Sequence, residues 1–121
     1  MKRPLLACLI LLAACQSDGP TLAQEWVLQA KGARPVTLDL REPGRAAGQA
    51  PCNRWFATVE GTLPAFRLSG IGATRMACPD LAAETAFLAT LSRVTRAQVQ
   101  EGMLVLEGPG GEMLQFLPKT P

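Results

Sequence analysis

The chain has no histidine and no tyrosine, and aromatic residues make up only 5% of its 121 positions. Without histidine there is no Ser–His or Cys–His catalysis, and zinc loses its commonest nitrogen ligand. Charge is also scarce. Asp, Glu, Lys and Arg together reach 18%, against 48% hydrophobic residues. That balance excludes a disordered polyampholyte and fits a compact fold of one domain. The formal charge is +2, but Lys2 and Arg3 lie in a stretch that reads as removable, and without them ten basic residues face ten acidic ones. A neutral remainder gives no electrostatic case for nucleic acid. No cofactor motif and no internal repeat is present, and no long polar linker divides the chain.

The chain does carry one long apolar run, Leu5 to Ala14, behind the basic start Met1-Lys2-Arg3. Ten helical residues span about 15 Å, half of a bilayer's hydrocarbon core, so the run reads as a secretory signal and not as a spanning anchor. It ends in Leu12-Ala13-Ala14-Cys15, which resembles the lipobox of bacterial lipoproteins. The resemblance implies a signal peptide over residues 1–14 and a lipidated Cys15. The alternative is an ordinary thiol after an Ala-x-Ala-like cleavage site. Two or more acyl chains hold a protein stably at a membrane. Gln16, where an Asp tends to retain lipoproteins at the inner membrane, favours the outer membrane by the same resemblance. Cys8 sits inside the discarded segment. Gln16 to Thr21 is polar and turn-rich, so residues 15–23 read as the lipidated cysteine and its flexible tether, with a domain over 24–121.

Within the domain, period-two alternation predicts strands at Trp26–Leu28, Pro35–Leu40, Trp55–Glu60 and Ala65–Leu68. Arg41 to Pro51, with Pro43, Gly44 and Gly48, reads as loop. From Pro79 to Val94 the period becomes helical, with Leu81, Leu88, Leu91 and Val94 on one stripe and Pro79 or Asp80 at the start. Ala97–Gln100, Met103–Leu106 and Met113–Leu117 then form a meander of hairpins. Gly70-Ile71-Gly72 and Gly108-Pro109-Gly110-Gly111 lack the Lys-Ser/Thr ending of a phosphate loop and read as hairpin turns. The pattern predicts an α+β domain: a curved antiparallel sheet or partial β-barrel of about seven strands with one helix packed on it.

Cys52 and Cys78 are the two cysteines of this domain, and an even pair in an oxidising compartment is most simply a disulfide. A nucleophilic thiol at Cys52 is the competing reading, but no imidazole is there to generate the thiolate. A two-cysteine metal site fails for the same reason. Asn53 and Arg54 offer a polar binding surface, or Asn53 makes an Asx-type turn bond beside the disulfide. Arg75 has the chemistry to hold a carboxylate or phosphate, or it pairs internally with Glu84. Trp55 and Phe56 point to opposite faces of an extended strand, so one of them faces solvent or covers a cavity as a candidate partner anchor, or the helix or a loop covers both. The carboxylates are scattered along the chain and suggest no catalytic pair.

Trp26-x-Leu28, Cys52-Asn53-Arg54, Ala73-Thr74-Arg75-Met76-Ala77-Cys78, Glu84-x-x-Phe87-x-x-x-Leu91, and Leu104-x-Leu106 with Gly111 together resemble the META/HslJ-like domain family. The likeness spans nearly all of the domain. Pro51 stands where the family usually has Gly, and Ala57 and Val59 replace a Gly and an aromatic residue. The resemblance implies a small envelope or secreted protein, often a lipoprotein, linked to heat or antibiotic stress and to motility or secretion. It brings no catalytic residues to transfer. The expected function is therefore a non-enzymatic, lipid-anchored protein that binds or stabilises an envelope component under stress. Two alternatives remain: a periplasmic inhibitor, for example of a lysozyme, and a carrier of lipid or another apolar ligand on the concave sheet. Expected partners are the membrane, through acyl chains on Cys15, and an unidentified envelope protein or apolar ligand.

Overall fold

The computed structural model describes residues 21–30 and 34–119. The signal peptide and lipidated Cys15 expected from the sequence lie outside them. The elements run β1 (Glu25–Leu28), β2 (Thr37–Asp39), β3 (Arg45–Gln49), β4 (Arg54–Glu60), β5 (Arg67–Ala73), α1 (Leu81–Arg93), β6 (Arg96–Gln100), β7 (Met103–Glu107) and β8 (Met113–Pro118). The eight strands among the described residues form one sheet in the order β5-β4-β3-β2-β1-β8-β7-β6. Every pairing is antiparallel. The sheet is thus two meanders joined where the first strand pairs with the last.

The sheet curls until its outer strands meet at one end. Ala65 bridges Arg96, the Phe66 amide donates to the Thr95 carbonyl at 3.0 Å, and the Ala97 amide donates to the Pro64 carbonyl at 3.0 Å. Away from that contact the barrel stays open, and α1 packs along β5 in the gap. This is the expected α+β half-barrel, with one strand more than the pattern predicted. The extra strand is β3, whose Ala46, Ala47 and Gly48 carry no β-branched or aromatic residue to mark it.

Gly48 has a packing reason. A Cβ built there would stand 2.0 Å from the Thr37 carbonyl oxygen. That oxygen accepts the indole N–H of Trp55 at 3.0 Å, and Trp55 is the register partner of Gly48. Glycine leaves the space through which the indole reaches across β3 to β2. Gly48→Ala should therefore cost about 2–3 kcal/mol and lower Tm by roughly ten degrees, read by thermal unfolding followed by circular dichroism. An unchanged Tm would refute this account of β3.

The concave side is filled. Trp26, Leu38, Trp55, Leu104, Leu106 and Phe116 from the sheet, and Phe66 just ahead of β5, pack with Phe87 and Leu91 from α1. The buried face of α1 carries Glu84, Phe87 and Leu91, continuing to Val94 beyond its end, and Leu81 is exposed. The stripe is thus rotated relative to the expected Leu81-Leu88-Leu91-Val94 line, because the position one turn into the helix buries a carboxylate instead of a leucine. Gly70-Ile71-Gly72 also departs from expectation. It lies within β5, opposite a register shift between Phe56 and Thr58, and is not a hairpin turn. Gly108 to Gly111 does form the β7–β8 turn, with the Gly111 amide on the Gly108 carbonyl.

Candidate functional site

At the start of β4 and of α1, three segments are locked together. Cys52, in the β3–β4 corner, is joined to Cys78 in the β5–α1 connection, with their Cα atoms 6.0 Å apart. The next residue, Asn53, is 2% exposed, and Glu84 on the first turns of α1 is 4% exposed. One Glu84 carboxylate oxygen accepts the Cys52 amide at 3.0 Å and the Asn53 amide at 2.6 Å, and the other accepts the Asn53 side-chain amide at 2.6 Å. The Asn53 side-chain oxygen in turn accepts the Met76 amide at 2.6 Å and the Thr74 hydroxyl at 3.0 Å. Its side-chain amide also reaches the Met76 carbonyl at 3.2 Å. One asparagine and one glutamate thus satisfy the Cys52, Asn53 and Met76 amides, which have no backbone partner.

This network changes the reading of the polar candidates. Asn53 does fix the chain beside the disulfide, but through contacts to residues 74, 76 and 84, not through a local Asx turn. Glu84 is taken by Asn53 and Cys52 and is not paired with Arg75; among the described residues no carboxylate lies within ion-pair distance of Arg75. The Glu84 carboxyl is pushed up by burial, yet hydrogen bonds from Asn53 and Cys52 outweigh that and hold it below its ordinary value.

The outer face of the same corner is apolar. Phe56 (55% exposed), Met76 (59%) and Leu81 (46%) stand in solvent around a groove of about 610 Å³, whose walls include Ile71, Gly72 and Leu88. Gly72 leaves room for the Phe56 ring against β5, since a Cβ there would sit 2.6 Å from the ring. Arg54 and Arg75 are exposed at this end of the sheet. Of the expected surface set Asn53, Arg54, Trp55 and Arg75, the two arginines are therefore exposed. Asn53 and Trp55 are buried, Trp55 edge-on against Phe87 with ring centroids 6.0 Å apart. The strand alternation places Trp55 inside and Phe56 outside. Met76 and Leu81 went unread as surface residues. Only the exposed, extended course of residues 74–77 displays Met76, and no periodicity marks that course.

Geometrically the region is a rigid corner carrying an apolar groove with cationic neighbours, on a small half-barrel with a packed interior. The chain belongs to the META domain family, whose model matches residues 14–121. Among solved structures, a protein from Burkholderia xenovorans studied by NMR is similar, with a TM-score of 0.69 and 26% identity over 82% of this chain and 83% of that one. A second NMR structure has a TM-score of 0.63 with 16% identity, covering 79% of this chain and 89% of the other, and supports the fold alone. No curated protein matches the chain significantly.

Proposed function

We propose that this META-family chain is a non-enzymatic, lipid-anchored protein of the bacterial envelope, held through Cys15 and docking an envelope component whose integrity matters under stress. The observation that carries the reading is the exposed Phe56–Met76–Leu81 groove on a corner fixed by a disulfide and a satisfied buried network. A surface held this rigidly loses little entropy on binding, which favours docking. Chemistry is disfavoured by the same contacts: Cys52 is bonded to Cys78, and both oxygens of Glu84 are engaged. The filled interior speaks against the apolar-ligand alternative. The inhibitor alternative calls for a protruding loop, whereas the exposed apolar residues here lie on a strand, a helix start and a clamped connection.

Anchoring at Cys15 is tested by metabolic labelling with palmitate. The wild type should carry label and fractionate with outer membranes, and Cys15→Ala should lose both label and membrane association. Label persisting in Cys15→Ala would overturn the anchor. Among the described residues no helix is long and apolar enough to cross a membrane.

A further inference from the structure

The groove beside the clamp has a chemistry that specifies what fits it. Its exposed large apolar side chains are a phenylalanine, a methionine and a leucine, with Ile71 and Leu88 partly covered behind them and the exposed Thr74 and Arg75 beside them. Methionine and aromatic residues are enriched at the centres of protein interfaces, because they offer large adaptable apolar area. The single carboxylate in the groove wall, Glu84, is buried and has its oxygens occupied. Arg54 and Arg75 are exposed, and among the described residues neither is in an ion pair. The corner therefore presents an apolar floor beside two arginines that make no ion pair among the described residues.

The position of the groove separates two classes of occupant. The described chain enters the domain at the other end of β4 and β5, where Leu22 lies beside Leu40, Val59, Leu63 and Phe66. The seven residues of β4, Arg54 to Glu60, connect the two ends, a span of about 20 Å. If the domain hangs from its N-terminus, the groove lies at the end away from the point of attachment. A membrane facing that attachment is then a poor occupant, and a polypeptide in the space beyond is a good one. We propose that this groove docks a protein segment that brings an aliphatic or aromatic anchor flanked by Asp or Glu, the anchor on Phe56, Met76 and Leu81 and the carboxylates on Arg54 and Arg75. This deepens the reading of the chain as a docking protein and rests on it.

The probe is a displayed library of random twelve-residue peptides, panned against the soluble domain beginning at residue 16 with its disulfide intact. Recovered peptides are then titrated into protein labelled at methionine and leucine methyls. The expected result is recovery of peptides enriched in Asp or Glu around a large apolar residue, with shifts centred on the Met76 and Leu81 methyls. Affinity should fall roughly tenfold in Arg54→Glu/Arg75→Glu and weaken with salt. Both arginines are exposed, so these variants should keep the wild-type Tm, and a circular dichroism melt confirms that a lost interaction is not lost folding. Peptides without acidic enrichment, shifts mapping elsewhere, or affinity indifferent to the double variant would each overturn the proposal, as would the absence of any binder. Vesicles of phosphatidylglycerol and phosphatidylethanolamine moving the Met76 signal would assign the groove to membrane and overturn it too. If removing residues 16–20 moves the Met76 methyl in the free protein, those residues are the occupant and the proposal fails. None of these readouts depends on Cys15, so the anchor and the partner chemistry fail separately.

Discussion

Glu84→Ala should lower the unfolding free energy by about 4 kcal/mol, because it strands three buried donors at once: the Cys52 amide, the Asn53 amide and the Asn53 side-chain amide. For a domain of this size that is a large share of the total stability. Glu84→Gln should still cost about 2–3 kcal/mol, although it keeps the shape. One of its two termini becomes an amide NH₂, and a donor then faces donors. The charge also carries a pH signature. The carboxyl is raised by burial but lowered further by the Asn53 and Cys52 hydrogen bonds, so its folded pKa lies below the ordinary 4.5. The unfolded chain therefore takes up the proton more readily than the folded one. The stabilisation is present in full above the ordinary carboxylate range and is lost as pH falls through the folded value. Chemical denaturation at a series of pH values should show a flat plateau near neutrality and a falling acid limb. That limb should become shallower in Glu84→Gln. Asp39, held low chiefly by its hydrogen bond with Arg41, leaves a small residual slope, because that pair is solvent-exposed and screened. An acid limb of equal depth in Glu84→Gln would show that this carboxylate is not the group responsible.

Much of this architecture is legible in the residues themselves. Val36, Leu38 and Leu40 alternate against Thr37 and Asp39, and Leu38 and Leu40 are buried. The period change at Pro79 marks the helix, and the even cysteine pair of the domain marks the disulfide. What escaped notice shares one physical character. β3 is a strand because Gly48 must admit the Trp55 indole, and a small residue chosen for the space it leaves looks like a loop in isolation. Glu84 reads from the sequence as a partner for Arg75, because its actual partners lie 31 and 32 positions away. Its burial follows from the unpaired amides of the Cys52–Asn53 corner, which only the fold brings together. The groove was half visible: alternation from Trp55 exposes Phe56, whereas Met76 is displayed by a connection whose course is set by Asn53 and Cys78.

Removing the disulfide as Cys52→Ala/Cys78→Ala should cost about 3.5 kcal/mol, the chain-entropy value for a loop closed across a separation of 26 residues. Reduction of the wild type should shift the denaturation midpoint in the same direction, and a midpoint unmoved by reductant would show that the crosslink contributes nothing. The more informative measurement joins the two perturbations. The disulfide and Glu84 hold the same junction: Cys52 is bonded to Cys78 through sulfur and to Glu84 through its amide, and residues 74–80 are pinned from both ends. Once one restraint is gone the corner relaxes, and losing the other matters less. The triple variant with Glu84→Ala should therefore fall short of the sum of the separate losses by about 1 kcal/mol or more. Strict additivity would mean that the two devices act on independent parts of the fold. Because Met76 and Leu81 sit on the pinned stretch and at the helix start it leads into, loosening this junction should also blunt any binding at the groove. The loss should appear even in conditions where the half-barrel, held by Trp26, Leu104 and Phe116, remains folded.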